Sequence, residues 1–214
     1  MKKGLLVVGV IFAGLIGLVI IALMWAVGVN NKMVAKSNAA DAQWAQVQNV
    51  YQRRADLIPN LVNTVQGAPN FEKSTFQEVV NARASVGRVD VSPNTAPTDP
   101  NQLRQFQAAQ NQLGSALSRL LVVVEKYPDL RANQNFQTLQ AQLEGTENRI
   151  SVERGRYNDK LREYNTYIQK VPANIIAGFR NFQTKPYFEA TAGADQPPNV
   201  QFDFGKTGAT NLRE

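Results

Sequence analysis

Apolar and polar positions divide the chain into one unbroken apolar run and four amphipathic stretches. No charged residue occurs from position 5 to position 29. A helix needs about 20 apolar residues to cross a ~30 Å hydrocarbon core, so this run predicts a transmembrane helix over residues 5–29, behind a short tail over 1–4. Backbone in lipid must satisfy its own hydrogen bonds, which a single segment achieves only as a helix. Lys2 and Lys3 precede the run, and Trp25, Asn30, Asn31 and Lys32 stand at its far end, as residues at a bilayer interface do. The competing reading is a cleaved signal peptide. Its apolar region would span only about 7–15 residues and end in a small-x-small site, and neither feature is evident here.

Past Asn30, apolar and small residues recur in steps of three and four: Met33, Ser37, Ala40, Trp44, Val47, Tyr51, Ala55, Ile58, Val62 and Val65. This is one stripe on one helix. No Gly or Pro interrupts residues 30–58, so the membrane helix is expected to run straight into it. Pro59 lacks the donor that would reach the carbonyl of Ala55 and should bend the helix; Gly67 and Pro69 should end it. A shorter helix is expected over residues 71–89, capped by Asn70, with Phe76, Val79, Val80, Ala84 and Val86 buried. Residues 92–100, SPNTAPTDP, read as a loop. Asp99, Pro100 and Gln102 then read as N-cap, first helical residue and capping-box partner.

The next helix carries a heptad seam, Leu103, Phe106, Gln110, Leu113, Leu117, Leu120, Val124 and Tyr127, with Gln110 as its one polar member. A last helix is expected over residues 130–171, with Phe136, Leu139, Leu143, Thr146, Ile150, Glu153, Tyr157, Leu161, Tyr164, Ile168 and Val171 along its seam, closed by Pro172. Short connections between long amphipathic helices predict antiparallel neighbours. The expected fold is all-α: a transmembrane helix continuing into an antiparallel up-down-up-down four-helix bundle over residues 30–171. A membrane-proximal segment over 172–190 and a flexible tail over 191–214, rich in Gly, Pro, Gln and Asn, complete the chain. An even number of antiparallel helices returns residue 171 to the bilayer. Ile175, Ile176, Phe179, Phe182, Tyr187 and Phe188, with Trp25, therefore become candidates for headgroup contact. The alternative is that they lie against the lower part of the first helix and touch no lipid.

The 214 residues include no cysteine and no histidine, which excludes thiol nucleophiles, disulfides, imidazole bases and every metal site built on those side chains. No metal or cofactor is expected. The net charge of +6 is spread among acids and makes no basic stripe, so nucleic acid is not an expected partner, whereas an anionic bilayer is. Lys2 and Lys3 nearly balance Lys32 and Lys36 across the span; a cytoplasmic N-terminus and an extracytoplasmic body in the bacterial inner membrane are the preferred orientation.

Candidate polar sites are few. Arg53, Arg54 and Asp56 lie too far along the helix for headgroups, Arg53 at roughly 36 Å by helical rise. They are expected to make ion pairs within the bundle, to Glu144, Glu147 or Glu153. Tyr157-Asn158 and Tyr164-Asn165 repeat one heptad apart and are expected to form a polar core, with substrate binding as the weaker alternative. Glu153 is the lone seam carboxylate, a thin basis for catalysis.

Several of these stretches resemble the LemA family of bacterial membrane proteins: QRRADLIPNLVNTVQG (residues 52–67), VVNARA (79–84), YPDLRANQNFQTLQAQLEGTENRI (127–150), RYNDKLREYNTYI (156–168) and YFEA (187–190). The segment GAPNFEKSTF (67–76) departs from the family pattern, which expects a tyrosine and an acid-rich helix start there. The resemblance implies a single N-terminal span, an all-α bundle, no established enzymatic activity and no catalytic residues. It also implies similarity to proteins of magnetosome assembly. The expected function is a membrane-anchored, non-enzymatic scaffold or adaptor of the envelope, acting through protein contacts and self-assembly. A membrane-shaping wedge over residues 175–188 and a carboxylate-based hydrolase near the bilayer are the alternatives.

Overall fold

The computed structural model describes residues 2–69 and 71–189. Among the described residues six helices follow one another: α1 (Lys2–Gln66), α2 (Lys73–Val86), α3 (Pro100–Val124), α4 (Pro128–Arg131), α5 (Gln134–Gln169) and α6 (Ala173–Arg180). No strand occurs among the described residues. The molecule is a helical bundle with one long apolar helix at its N-terminal end.

α1 carries the apolar run and the first amphipathic stripe without interruption. Its N-terminal part is long and apolar enough to cross a membrane, and no other described residues bury that stretch. Met33, Ala40, Trp44, Val47, Tyr51, Ile58, Leu61, Val62 and Val65 are buried along one face beyond it. Apart from the adjacent pair Leu61 and Val62, their steps of three, four and seven keep the stripe turned toward α5, the main partner of α1. Pro59 is accommodated inside the helix. Its missing N–H leaves the carbonyl of Ala55 without the usual partner, and Arg83 Nε of α2 donates to that oxygen at 3.1 Å. The gap in the helical ladder is thus used as a tie between α1 and α2.

α1 and α5 run in opposite directions. Lys36 bonds Glu163, Gln43 bonds Glu153 and Arg54 bonds Glu147, so partner numbers fall on α5 as they rise on α1. The core has three clusters. Val29 and Met33 meet Tyr164, Ile168, Ala173 and Ala177 nearest the apolar span. Trp44, Val47 and Tyr51 meet Phe106, Tyr157, Leu161 and Phe188 in the middle. Residues 58–65 meet α2, α3 and the start of α5 at the far end.

Local sequence explains most boundaries and corrects several expectations. α3 begins as its signals require: Asp99 accepts from Asn101 N at 2.8 Å and Pro100 holds the first turn. Gln102 is no capping-box partner, however; it reaches across to the carbonyl of Asp90 and fastens the loop. The seam residues of α3 from Leu103 to Val124 are buried, Gln110 included. α2 is shorter than the expected 71–89 and begins after Glu72, with no side-chain cap; the expected cap, Asn70, lies outside the described residues. Thr75 and Ala82 are buried on it, while Val80 and Ala84 are exposed, because its inward face is turned by one position. The last predicted helix is divided. Asn133 accepts from Asn135 N and Phe136 N and starts α5 afresh after the single turn of α4. Val171 lies beyond α5 and is exposed, not on its seam. The expected tail over 191–214 lies outside the described residues.

Candidate functional site

Residues 173–189 do not behave as one interfacial segment. The first half forms α6, and Asn181, in the left-handed region with φ of 56°, ends it. Phe182 N donates to Ala177 O at 3.0 Å and Asn181 N to Gly178 O at 3.3 Å, the reciprocal pair that closes a helix around such a residue. Asn is among the few side chains that take this conformation readily. The turn sends residues 183–189 as an extended strap back up the bundle.

Asn158 and Asn165 hold the strap, and each uses both ends of its amide. Asn165 Nδ2 donates to Lys185 O at 2.9 Å while its Oδ1 accepts from Lys185 N at 3.0 Å. Asn158 Nδ2 donates to Phe188 O at 3.0 Å while its Oδ1 accepts from Phe188 N at 2.9 Å. Each side chain therefore acts as a short piece of neighbouring strand. The spacing follows from geometry: seven helical residues rise about 10.5 Å and three extended residues about 10 Å. A heptad of α5 thus meets every third strap residue. Tyr164 OH adds a bond to Gln183 O at 2.9 Å, and Glu189 O accepts from Arg154 at 2.8 Å and from Gln107 at 2.9 Å.

Two strap side chains go inside. Lys185 is buried, and its Nζ donates to Asp41 at 2.6 Å and to Ser37 at 3.2 Å. Asp41 also accepts from Ala96 N at 2.9 Å, so one carboxylate joins α1, the loop before α3 and the strap. Phe188, 5% exposed, stacks on Trp44 with centroids 5.8 Å apart and meets the Tyr157 ring edgewise at 5.4 Å. The Arg154 guanidinium covers it at 4.7 Å. Trp44 Nε1 donates to Ser92 O, fixing the opposite wall. Phe188 is thus a core residue and not a headgroup contact, because two rings and a guanidinium offer it more burial than an interface would. Ile176 and Phe182 are half-buried against the cluster nearest the span. Trp25, Ile175, Phe179 and Tyr187 are exposed.

A second polar centre lies at Arg54, which is buried among three helices. Its Nη1 bonds Glu147 at 2.6 Å, its Nη2 bonds the side chain and backbone oxygens of Gln110, and its plane lies 5.2 Å from the Tyr51 ring. The polar intruder of the α3 seam is there to receive this guanidinium. Such a bond set fixes helix register more than it adds stability. Arg53 is exposed and joins no ion pair among the described residues, and Asp56 accepts from Gln52 within α1 at 2.7 Å. Glu144 accepts from Gln140 within α5 at 3.0 Å. Glu153 is half-buried between Gln43 at 2.6 Å and Arg156 at 2.8 Å. No group of three or more acidic side chains among the described residues is placed to hold a metal ion.

Burial sets the ionisation of the tyrosines. Tyr157 is raised well above the usual tyrosine range by loss of solvent and then by the charge of Asp41. Tyr164 is raised by the same two causes. Tyr51 is raised by burial, against the opposing charges of Arg154 and Arg54. The Tyr157 hydroxyl is buried with no hydrogen-bond partner among the described residues.

The pairings of Asn158 and Asn165 were the part of this site hidden from periodicity. A heptad-spaced Asn pair signals polar need, but only the returning strap shows what answers it.

The sequence model of the LemA family matches residues 43–202. Magnetosome protein MamQ 1 of Paramagnetospirillum magneticum is 25% identical over 182 residues, covering 78% of this chain and 67% of that protein. Magnetosome protein MamQ of Magnetospirillum gryphiswaldense is 24% identical over 182 residues, with the same coverage of 78% and 67%. Protein LemA of Metamycoplasma hominis is 22% identical over 165 residues, covering 77% of this chain and 71% of its own length.

Proposed function

The chain belongs to the LemA family, and from that premise we propose that it is a single-pass, membrane-anchored, non-enzymatic scaffold or adaptor of the bacterial envelope. α1, α2, α3 and α5 form an up-down-up-down bundle that presents a protein-binding surface at a fixed height, with the N-terminus cytoplasmic and the bundle outside. The observation that carries this reading is the continuity of α1 from Lys2 to Gln66. Anchor and bundle share one helix, so the body has no hinge at the bilayer and its orientation is set by the membrane. The polar groups of the interior support the same reading. Arg54, Asn158, Asn165 and Lys185 each spend their bonds on joining elements, which is what a rigid support needs. The relatives named as magnetosome proteins bear the name of an assembly and not of a reaction.

Cross-linking in native membranes followed by co-purification of the full chain tests the proposal. Reproducible recovery of a defined envelope protein, or of oligomers of the chain itself, is the expected result; recovery of the monomer alone removes the adaptor reading. An alkaline phosphatase fusion after Glu214 tests the orientation, and an active fusion is expected.

A further inference from the structure

We propose that α6 is a second membrane contact, a short helix lying in the interfacial layer of the same leaflet that α1 leaves, and that it prefers anionic headgroups.

Three observations converge on it. The first is placement. Arg180 Nε donates to Asn30 Oδ1 at 3.2 Å, and Asn30 is the first polar residue after the apolar run of α1. The buried side of α6, Ala173 and Ala177, lies in one cluster with Val29 and Met33. α6 is therefore held at the level where α1 passes from apolar to polar surroundings.

The second is the face turned away from the protein. Val171, Ile175 and Phe179 follow one another at four-residue spacing and are 79%, 57% and 87% exposed. Ile175 and Phe179 form one row on α6, and Val171 stands just ahead of its first turn. Ala173, Ala177 and half-buried Ile176 face inward, while Ile175 and Phe179 stay outside with Val171 beside them, so α6 leaves large apolar side chains on a face that a surface helix usually makes polar. Met24 and Val27, in the last turns of α1 before Val29 and Asn30, are exposed as well. The row continues the apolar surface of the span, and the hydrocarbon that covers one reaches the other. A second copy of the chain would have to displace that lipid to cover the row.

The third is charge. The sequence has no Asp or Glu before Asp41 and none between Glu163 and Glu189. Lys32, Lys170 and Arg180 are exposed within these acid-free stretches, around α6. Lys36 is engaged by Glu163 at 3.2 Å and Lys185 by Asp41 at 2.6 Å, which leaves the other three as the cationic rim. Each basic residue close to an anionic surface contributes about 1 kcal/mol of attraction, and a short apolar face with such a rim is the composition of an interfacial helix.

The chain has no cysteine, so single cysteines report cleanly. Full chains carrying Ile175→Cys, Phe179→Cys or, far from the span, Val152→Cys would be spin-labelled and reconstituted in vesicles of phosphatidylcholine with phosphatidylglycerol. Labels at 175 and 179 are expected to collide with oxygen more than with a water-soluble nickel complex, and the label at 152 to show the reverse. Replacing phosphatidylglycerol by phosphatidylcholine, or introducing Lys170→Gln with Arg180→Gln, should move the label at 179 toward water. Water exposure at 179 equal to that at 152 overturns the membrane contact. Spin–spin broadening at 179 that vanishes on dilution with unlabelled chain would mean that a second copy covers the face, and also overturns it. An unchanged depth in neutral vesicles overturns the preference for anionic lipid.

Discussion

α6 and the strap are neighbours along the chain, each with a phenylalanine and a basic residue, and they meet opposite fates. Phe179 and Arg180 of α6 are exposed, whereas Phe188 and Lys185 of the strap are buried. Composition cannot explain this, since each segment offers one phenylalanine and one cation. The difference lies in how each segment satisfies its backbone. α6 is a helix and needs nothing from its surroundings except a cap, so it can lie on the surface with its large side chains outward. The strap is extended, and its N–H and C=O groups can be buried only where other groups receive them. Asn158 and Asn165 do so, and their heptad spacing decides which strap residues go in.

The largest expected effect separates the two phenylalanines. Phe188→Ala removes a ring from the middle of an aromatic cluster and should cost about 3–5 kcal/mol of stability. Phe179→Ala removes an exposed ring and should change stability by less than about 0.5 kcal/mol. Thermal unfolding of the full chain in detergent measures both, and comparable losses would abolish the distinction drawn here.

Next come the amides. Asn165→Ala leaves the N–H and C=O of Lys185 buried and unpaired, at about 1–3 kcal/mol, and Asn158→Ala does the same at Phe188. Hydrogen exchange sharpens the point: amide protection at Lys185 should fall with the first variant, and at Phe188 with the second. Protection unchanged in both would mean that the strap is held by its side chains alone.

This contrast also marks what the sequence could show. The long apolar run, the stripe of α1, the seam of α3 and the Asp99-Pro100 start were legible because each is a local, periodic signal. The division at Asn133 was legible in principle, since an Asn before a helix is a capping signal, but the apolar period runs on across it and hides it. The burial of Phe188 was not legible. It depends on Trp44, Tyr157 and Asn158, which stand far away in sequence, and on a return path fixed by the left-handed turn at Asn181. The partner of Arg54 was half legible: acids on α5 were evident, but nothing local assigns Gln110 its role.

The smallest effect tests the walls of the strap groove through pH. Tyr157, Tyr164 and Tyr51 all have folded pKa values raised above the ordinary tyrosine value, chiefly by burial. The unfolded chain ionises its tyrosines near pH 10, while the folded chain keeps these three protonated. Above that pH the unfolded state binds fewer protons than the folded state, so stability falls as pH rises. The loss begins near the unfolded value and continues toward the raised folded ones; below it the contribution is present in full. Tyr157→Phe removes one titrating group from this limb and should flatten it by up to about 1.4 kcal/mol per pH unit. Near neutral pH the same change removes a hydroxyl that has no partner among the described residues, so stability should stay level or rise by up to about 1 kcal/mol. An alkaline limb left unchanged by Tyr157→Phe would mean that the ring beside Phe188 is open to water, and that the strap does not seal the groove in which it lies.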